Sequence, residues 1–285
     1  TGQQFLEGLK APREIYLGTE KVDDVAAHPA FRGAAEELAA VFDLQHAKAD
    51  RCLVPDPETG EPINASHLIP RSRDDLFKRH AALEVCAEHS VGLMGRTPDY
   101  MNVTFAGFAA RPDEWSLGGN EAGAENLIAF QKDMRRGDLS LSHTIIHPTV
   151  DKALGDVPRP GNDVALHKVG ETEHGIIVRG SRILATLSPF ADEMTVYPAF
   201  PLGGGADASA LAFSIPMTTP GMKILCRDSF SHPKHAYDHP LSGRFDEQDA
   251  FVIFDDVEVP KDRVFINANI AAYNAVMRTS WSSME

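Results

Sequence analysis

The chain has 285 residues, of which 43% are hydrophobic and 24% are charged, so it has the composition of an ordinary globular protein and room for two domains. Its formal net charge of -14 argues against a nucleic-acid or anionic-membrane surface, which leaves small molecules and other proteins as the expected partners. Three widely spaced cysteines, with no apolar run of membrane-spanning length and no signal-peptide pattern, predict a cytoplasmic protein rather than a disulfide-bonded secreted one.

The first half of the chain has the apolar spacing of helices, interrupted by one short extended element and one turn-rich loop. Helices are predicted near residues 5–9 and at about 29–45, 98–110 and 121–136, the last of them closed by basic residues and Gly137. The extended element covers residues 14–17, and the sequence PDPETGEPIN at 55–64 predicts a surface loop.

The clearest helix signal lies between residues 72 and 95. Ser72 and Asp75 resemble a capping box, and apolar residues from Leu76 onward recur at helical spacing, so we expect a single helix that runs to Gly95. His80 lies on this apolar stripe and is expected to be a core or boundary histidine rather than a metal ligand.

The sequence MGRTPDYMNV then sets the end of one predicted helix against the start of another. Gly95 is a typical C′ residue, Thr97 is a typical N-cap, and Pro98 occupies the first helical position, where proline is favoured. Arg96 and Tyr100 therefore lie at the positive end of the new helix, where a guanidinium, a phenol and unpaired N–H groups can receive a negatively charged oxygen. The alternative is a structural turn with its Arg and Tyr at the surface.

Beyond residue 137 the apolar spacing changes from the helical period to alternation. Leu141, His143 and Ile145 alternate with serine and threonine, which predicts an extended segment with His143 on its apolar face. Such a histidine is either a core residue bonded to the backbone or a residue that faces a partly dry ligand pocket. His147 follows at a spacing used in metal sites, but Pro148 comes next and no glutamate lies between the histidines, so no metal site is predicted.

The second half of the chain predicts β structure after a boundary rich in Gly and Pro at 152–162. A hairpin is predicted from 164–171 and 175–183, and further strands are predicted at 193–197, 211–216, 222–226 and 249–257. Short strands of this kind favour a small barrel or sandwich. The glycine-rich loop at 198–209 is a candidate cover over a site. A second loop holds His232, His235 and His239, for which we expect a solvated loop rather than a zinc site.

Several segments, in this order, resemble one known family. GRTPDYMN, LSHTIIHPTVDK, ATLSPFADE, DHPLSGRFDE and FDDVEVPKDRVF are similar to the 4-hydroxyphenylacetate 3-monooxygenase family, the oxygenase components of two-component flavin hydroxylases. The resemblance implies an α+β, acyl-CoA dehydrogenase-like fold. In that fold a mainly helical domain covers 1–152, a small antiparallel β-barrel covers 153–266, and residues 267–285 begin a truncated C-terminal helical bundle.

The resemblance implies a defined reaction, the hydroxylation of a phenol ortho to its hydroxyl group. FADH2 comes from a separate reductase, O2 adds to it to give a C4a-hydroperoxide, and oxygen is transferred to a ring carbon that the phenol oxygen makes electron-rich. Arg96 and Tyr100 would bind the phenolic oxygen, and His143 would hydrogen-bond it or take its proton. These three are the implied catalytic residues, and the full-length protein is implied to be a homotetramer.

Further site residues follow from the same resemblance. Implied cofactor contacts are His143, Thr144, Ile145, Thr149, Val150, Asp151 and Lys152, with Thr186 facing the flavin ring. Implied substrate contacts are Arg96, Thr97, Pro98, Asp99, Tyr100, His143, Pro198 and Ala199, with the loop at 198–209 folding over the substrate to exclude water. No metal ligand is implied.

Two departures from the family pattern bear on the ligands. His147, Thr149 and Lys152 stand where many members have Asn, Gln and Arg, and because lysine lacks the bidentate fork of arginine, the flavin phosphate contacts are expected to differ. Pro198 and Ala199 offer no side-chain hydroxyl to a substrate carboxylate. The expected substrate is 4-hydroxyphenylacetate or a tyrosine-derived phenol, free or tethered to a carrier protein, and the missing hydroxyl favours the tyrosine-derived phenol.

Two alternatives remain open. 4-Hydroxybutyryl-CoA dehydratase shares the fold and holds an iron–sulfur cluster with three cysteines and a histidine, but Cys52 and Cys86 are far apart in the sequence and do not match that pattern. A catalytically silent flavin-binding relative is the second alternative. Without the third helical domain, the 285 residues alone are expected to bind FAD weakly and to show little activity.

Overall fold

The computed structural model describes residues 1–149, 158, 163–230, 235 and 237–279, without the side chains of the last two. Within this part of the chain the α-helices are α1 (Gly2–Gly8), α2 (Arg32–Ala47), α3 (Ala49–Cys52), α4 (Arg73–His89), α5 (Pro98–Ala109), α6 (Pro112–Trp115), α7 (Glu121–Gly137) and α8 (Ile270–Thr279). The predicted capping box of α4 is confirmed: the Ser72 hydroxyl accepts from the Asp75 backbone N–H, and the Asp75 carboxylate accepts from the Ser72 backbone N–H.

Most of the strands follow α7. They are β1 (Glu14–Leu17), β2 (Glu20–Val22), β3 (Leu53–Pro55), β4 (Pro62–Asn64), β5 (Leu141–His143), β6 (His167–Glu171), β7 (Gly175–Arg182), β8 (Glu193–Val196), β9 (Ala212–Pro216), β10 (Met222–Cys226), β11 (Ala250–Pro260) and β12 (Val264–Ile266). The predicted element at 14–17 and the predicted hairpin, now β6 and β7, are confirmed. The predicted loop at 55–64 is the turn of a hairpin between β3 and β4.

Two sheets contain ten of the described strands. One has the order β2-β1-β10-β11-β7-β6, and the other has the order β12-β9-β8-β5. The pairings of β1 with β10 and of β5 with β8 are parallel. Because β1 and β5 come from the mainly helical first half of the chain, that half supplies strands to both sheets.

Two apolar cores hold these layers together. The first joins both sheets to α1 and α2 and includes Phe31, Phe213 and Phe254, each no more than 1% exposed. The second lies around α5, α7 and α8, where the Phe108 ring packs against Trp115 at a centroid distance of 5.0 Å. This second core extends to the strands that carry the candidate site.

The helix predicted at 72–95 is shorter than expected, and it buries a different face. α4 ends at His89, because Val91 and Gly92 take left-handed backbone angles, with φ of 53° and 70°. Leu76 and His80, on the predicted stripe, are exposed, so the expectation of a core or boundary histidine was wrong. The buried side chains are instead Arg79, Ala82, Val85 and Cys86. Apolar residues lie on more than one face of α4, so spacing alone does not select the packed face.

Two local details near β5 also differ from the prediction. Gly137 is the last residue of α7, and Asp138 takes the left-handed C-terminal position, with φ of 49° and its carboxylate held by Gln45 at 2.5 Å. In β5 the polar residues are buried as well as the apolar ones, since Ser142 is only 1% exposed. Both faces of this strand are covered, so it has no solvent face.

Some predicted features lie outside the described residues. These are the boundary at 152–162, apart from Pro158, and His232. In the same loop His235 is exposed and His239 partly exposed. Within the described part of the chain, no group of three or more His, Cys, Asp or Glu side chains is arranged to hold a metal ion. None of the described helices is long and apolar enough to cross a membrane.

Candidate active site

The turn before α5 brings Arg96 to the start of that helix. α5 begins at Pro98 with Thr97 as its N-cap residue, as predicted, whereas Gly95 lies beyond the end of α4 and is not its C′ residue. The Arg96 backbone N–H donates to Oε1 of Glu247 at 2.5 Å, which fixes the turn to the chain just before β11. Burial raises the pKa of Glu247, and the Arg96 N–H and charge oppose that rise.

Four side chains form a continuous series of contacts, called here the aromatic row: Arg96, Tyr100, His143 and Tyr197. The Arg96 guanidinium carbon lies 4.3 Å from the centroid of the Tyr100 ring. The ring centroids of Tyr100 and His143 are 5.5 Å apart, and those of His143 and Tyr197 are 5.6 Å apart. The three predicted catalytic residues are therefore brought together.

The backbone around β5 explains how the aromatic row is assembled. His143 is the last residue of β5 and is paired with Thr195 of β8, while Tyr197 follows β8 directly. The Thr195 hydroxyl donates to the Ser142 carbonyl at 2.9 Å, which ties the two strands together. Tyr197 also packs against Phe108 of α5, at a centroid distance of 5.2 Å. The two strands and α5 thus converge on the row.

Burial sets the charge state of the aromatic row. His143 is 6% exposed, and burial together with the Arg96 charge lowers its pKa from 6.5 to about 4, so its imidazole is neutral at pH 7. Burial, aided by the Tyr100 phenol, raises the pKa of Tyr197, which therefore stays protonated. Arg96 remains exposed and carries the positive charge of the row.

Thr186 lies next to β5, on an irregular segment between β7 and β8. Leu184, two residues before Thr186, and Leu187, the residue after it, have left-handed backbone angles with φ of 62° and 59°, a conformation that costs non-glycine residues energy. The Ser142 hydroxyl donates to the Thr186 carbonyl at 2.8 Å, and the Thr186 hydroxyl donates to Oδ1 of Asp249 at 2.5 Å. Because the Thr186 hydroxyl hydrogen is donated to Asp249, the Thr186 oxygen can only accept a hydrogen bond from a bound ligand.

The other predicted cofactor residues differ in burial. Thr144 is fully buried, and its hydroxyl donates to the Ile183 carbonyl at 3.2 Å, so this side chain is used inside the protein. Ile145 is partly exposed and Thr149 is exposed, so both have surface for a ligand. Val150, Asp151 and Lys152 lie outside the described residues.

The predicted substrate residues at the start of α5 are mostly turned inward. Thr97 and Pro98 are buried. Burial raises the pKa of Asp99, and the Asp99 charge contributes to the raised pKa of Cys86 on α4. The Asp99 carboxyl therefore lies close enough to Cys86 of α4 for the two groups to interact.

The loop at 198–209 begins directly after Tyr197. Pro198 and Ala199 are buried, whereas Phe200 is 53% exposed. Leu202 is bonded twice to Asn274 of α8: its N–H donates to the side-chain oxygen at 2.8 Å, and its carbonyl accepts from the side-chain nitrogen at 2.9 Å. The loop is thus anchored to α8.

Three residues of this site were not predicted. Tyr197 extends the aromatic row, Glu247 holds the Arg96 turn, and Asp249 holds Thr186. Glu247 and Asp249 are spaced by two in the sequence FDEQD, so an extended backbone directs both to the same side. That spacing was a usable signal, but which turns the two carboxylates meet depends on contacts between distant parts of the chain.

The chain is similar to one protein family over most of its length. A family model described as 4-hydroxyphenylacetate 3-hydroxylase N terminal matches residues 1–266. The 4-hydroxyphenylacetate 3-monooxygenase oxygenase component of Geobacillus sp. is 39% identical over 281 residues, which are 98% of this chain and 57% of that protein. A Streptomyces globisporus monooxygenase, named for a (3S)-3-amino-3-(3-chloro-4-hydroxyphenyl)propanoyl group on a peptidyl-carrier protein, is 34% identical, over 95% of this chain and 51% of that protein. The chain thus spans little more than half the length of the curated relatives it matches.

Solved structures have the same fold. The oxygenase component HpaB of 4-hydroxyphenylacetate 3-monooxygenase, complexed with FAD and 4-hydroxyphenylacetate, matches with a TM-score of 0.90 at 36% identity, over 100% of this chain and 59% of that chain. An archaeal 4-hydroxybutyryl-CoA dehydratase from N. maritimus matches with a TM-score of 0.86 at 19% identity, over 97% of this chain and 56% of that chain, a likeness of fold alone. The predicted α+β, acyl-CoA dehydrogenase-like fold is confirmed, without the C-terminal part of those structures.

Proposed function

This chain belongs to the family described as 4-hydroxyphenylacetate 3-hydroxylase, N-terminal, and from that membership we propose that it acts in the oxygenase component of a two-component, FADH2-dependent monooxygenase. The proposed reaction adds one hydroxyl group to a phenol, at the ring carbon next to the phenolic oxygen. The observation that carries the proposal is the aromatic row, in which Arg96, Tyr100 and His143 are in contact at the start of α5.

The aromatic row suits a phenolate oxygen. Negative charge on that oxygen makes the adjacent ring carbon more nucleophilic, so a group that stabilises the charge lowers the barrier to oxygen transfer. Arg96 provides a positive charge, and Tyr100 provides an O–H donor beside it. His143, with a pKa of about 4, is a weak base for a phenol proton. We therefore assign the electrostatic role to Arg96 and a hydrogen-bonding role to His143.

The residues beside the aromatic row fit a flavin. Ile145 and Ile183 are partly exposed and Leu184 is 53% exposed, which leaves apolar surface on two neighbouring segments. The Thr186 oxygen is an acceptor, because its hydrogen is given to Asp249, and an acceptor suits an N–H group of a reduced flavin. When bound, reduced FAD supplies the electrons that activate O2 for transfer to the ring.

The loop at 198–209 is proposed to keep water from the site. Leu202 and Ala206 pack into the second apolar core, and Leu202 is bonded to Asn274, so the middle of the loop is held against α8. Phe200 projects from it with half of its surface exposed. A dry site prevents the activated oxygen from escaping as hydrogen peroxide before it reaches the phenol.

The substrate is proposed to be a tyrosine-derived phenol, free or tethered to a carrier protein. Pro198 and Ala199 are buried next to Tyr197 and have no polar side-chain group that could bind a carboxylate. The name of the Streptomyces relative, a monooxygenase of a carrier-tethered phenol, supports the tethered form.

The experiment is a substrate panel with the intact polypeptide that carries residues 1–285, supplied with FADH2 by a flavin reductase. The panel contains 4-hydroxyphenylacetate, tyrosine and a carrier-tethered tyrosyl thioester. We expect ortho-hydroxylated products and a preference of about 10-fold or more in kcat/KM for one of the tyrosine-derived substrates. A preference for the free acid contradicts the substrate assignment. Failure to hydroxylate any phenol while FAD is bound contradicts the reaction and favours the catalytically silent relative.

The partners and assembly complete the proposal. A separate flavin reductase is expected, because relatives such as the Geobacillus protein are named as oxygenase components. Three free thiols, on Cys52, Cys86 and Cys226, support a cytoplasmic location. A homotetramer of the intact protein is the proposed assembly, and light scattering after size-exclusion chromatography tests it.

The dehydratase alternative has less support. The likeness to the archaeal dehydratase is one of fold, and Cys52 and Cys86 are far apart in the sequence. An iron assay on the purified intact protein, with a positive result of several iron atoms per chain, would favour the dehydratase.

A further inference from the structure

Arg182 is a fully buried charge with few partners. It is the last residue of β7 and is 0% exposed. Its Nη1 donates to the Ile145 carbonyl at 2.6 Å, while Nε and Nη2 have no hydrogen-bond partner among the described residues. None of the ion pairs in the described part of the chain includes Arg182.

Two other polar side chains at this place are buried in the same unsatisfied state. His147 is 4% exposed and Tyr273 of α8 is 0% exposed. Neither ring nitrogen of His147 has a hydrogen-bond partner within the described residues. The Tyr273 hydroxyl makes no well-formed hydrogen bond there, although it lies close enough to the Arg182 guanidinium to interact with it. The Arg182 charge adds to the effect of burial in lowering the pKa of His147, and the Tyr273 phenol opposes the lowering of the Arg182 pKa, so the three groups sense one another.

Of the other arginines buried in the described part of the chain, Arg135 is neutralised by a carboxylate. Arg79, 7% exposed, is in no ion pair there, but its nitrogen atoms are not fully buried without a hydrogen-bond partner as those of Arg182 are. Arg135 is 6% exposed and donates to both carboxylate oxygens of Asp56, at 2.7 and 3.2 Å. The partly exposed Arg263 also has a carboxylate partner, since it donates to both oxygens of Glu193 at 2.9 Å. A buried guanidinium without such a partner is costly to the folded state, and a protein tolerates that cost where a ligand supplies the missing charge.

We propose that Arg182, His147 and Tyr273 form an internal receptor for one anionic group of the bound flavin nucleotide. Arg182 is placed for this because its guanidinium is bonded to the carbonyl of Ile145, a predicted cofactor residue, and because it lies on the chain segment that leads to Thr186. Guanidinium, imidazole and phenol groups together recognise anionic oxygen. Two parts of the cofactor have that chemistry, the phosphates and the negatively charged ring edge of the reduced flavin.

The identification of the ligand as a flavin rests on the proposed function. The observation that the Arg182 charge is unpaired does not depend on it. The test therefore uses melting temperature and equilibrium binding in place of turnover. Arg182→Met keeps the side-chain length and removes the charge. In the intact protein without FAD, it should raise the melting temperature by about 5 °C, because an uncompensated buried charge is removed. The same variant should weaken FAD binding on the order of 100-fold.

Arg135→Met is the matched control. It removes a buried arginine that has its own carboxylate. It should lower the melting temperature of the ligand-free protein, because buried Asp56 loses both hydrogen bonds from Arg135, and it should leave FAD affinity unchanged. Tyr273→Phe removes one hydroxyl without creating a cavity. It should leave the ligand-free melting temperature within about 2 °C of wild type and weaken FAD binding about 5-fold.

Two ligand comparisons separate the phosphate from the ring. If the receptor holds a phosphate, ADP stabilises the wild type against heat and not Arg182→Met, while riboflavin stabilises both equally. If it holds the ring edge, reduced riboflavin stabilises the wild type more than the variant, and ADP has the same effect on both. Unchanged FAD affinity in Arg182→Met, or a lower melting temperature of its ligand-free form, overturns the proposal and makes Arg182 a structural support for Ile145. Loss of hydroxylation with the FAD results as expected would contradict the proposed function alone.

Discussion

Arg96 and Arg182 carry the same guanidinium in opposite surroundings. Arg96 is exposed and lies 4.3 Å over the Tyr100 ring, whereas Arg182 is fully buried and has one hydrogen bond, to Ile145. Water solvates the Arg96 charge, so the protein is not destabilised when no substrate is bound. Arg96 therefore suits a substrate that binds and is released in each turnover. The Arg182 charge is not solvated, so its burial destabilises the folded protein unless an anionic partner remains bound. Exposure thus separates a proposed substrate contact from a proposed cofactor contact.

The largest effect on hydroxylation is expected when the exposed charge of Arg96 is removed. Arg96→Met should lower kcat/KM for phenol hydroxylation about 100- to 1,000-fold, because the charge on the phenol oxygen in the transition state loses its main stabilising group. FAD affinity should stay within about 2-fold of wild type. Arg73→Met is the matched control, since Arg73 also lies over a ring, that of Phe77 at 5.5 Å, and has no place in the site. Equal losses of turnover and FAD binding would return Arg96 to a structural role.

The buried imidazole of the aromatic row gives a prediction about pH. The pKa of His143 is 6.5 when unfolded and about 4 when folded. Below pH 6.5 the unfolded chain therefore binds this proton first, and the free energy of unfolding falls until about pH 4. His143→Asn removes the titrating imidazole, so between pH 7 and 4 the free energy of unfolding of the wild type should fall by about 3 kcal/mol more than that of the variant. Urea titrations of both proteins at several pH values measure it. Parallel pH profiles would mean that His143 is protonated normally and is not buried as described.

Glu247 tests whether the position of the exposed charge matters as well as its presence. Glu247→Ala removes the acceptor of the Arg96 backbone N–H, and we expect KM for the phenol to rise about 10-fold with kcat little changed. Glu247→Gln keeps an oxygen at that place and should restore most of the affinity. If both variants behave alike, the carboxylate acts through its charge and not by holding the turn.

The smallest effect is expected from Tyr197→Phe. The Tyr197 hydroxyl is buried and makes no well-formed hydrogen bond with the described residues, while its ring packs on His143 and Phe108. The variant should keep the ring contacts, change hydroxylation less than 3-fold and leave stability equal to wild type or up to about 1 kcal/mol higher. A large loss of turnover would show that the hydroxyl takes part in binding the phenol.

Local signals in the sequence predicted a large part of this molecule. The Ser72 and Asp75 capping box, the proline after Thr97 and the strand at 14–17 depend on neighbouring residues, and each was correct. The buried face of α4 was not, because its apolar residues allow more than one face and the choice depends on what packs there.

The residues of the site were also predicted only in part. Resemblance to the family named Arg96, Tyr100 and His143, and the structure brings them into contact. The contacts of Glu247 with Arg96 and of Arg182 with Ile145 join residues far apart in the chain, and no local pattern in the sequence marks them. Burial without a partner is a property of the folded molecule, so the receptor around Arg182 was not visible in the sequence.

The parallel pairing of β1 with β10 has a consequence for synthesis on the ribosome. β1 is synthesised well before its partner β10, at residues 222–226, and β5 is likewise synthesised before its partner β8. The edge of β1 that later pairs with β10 is therefore unpaired while most of the chain is translated, a state in which strands associate with other chains. Protein made at a slower translation rate should accumulate more aggregate, and a chain beginning after β2 should leave β10 as an open edge.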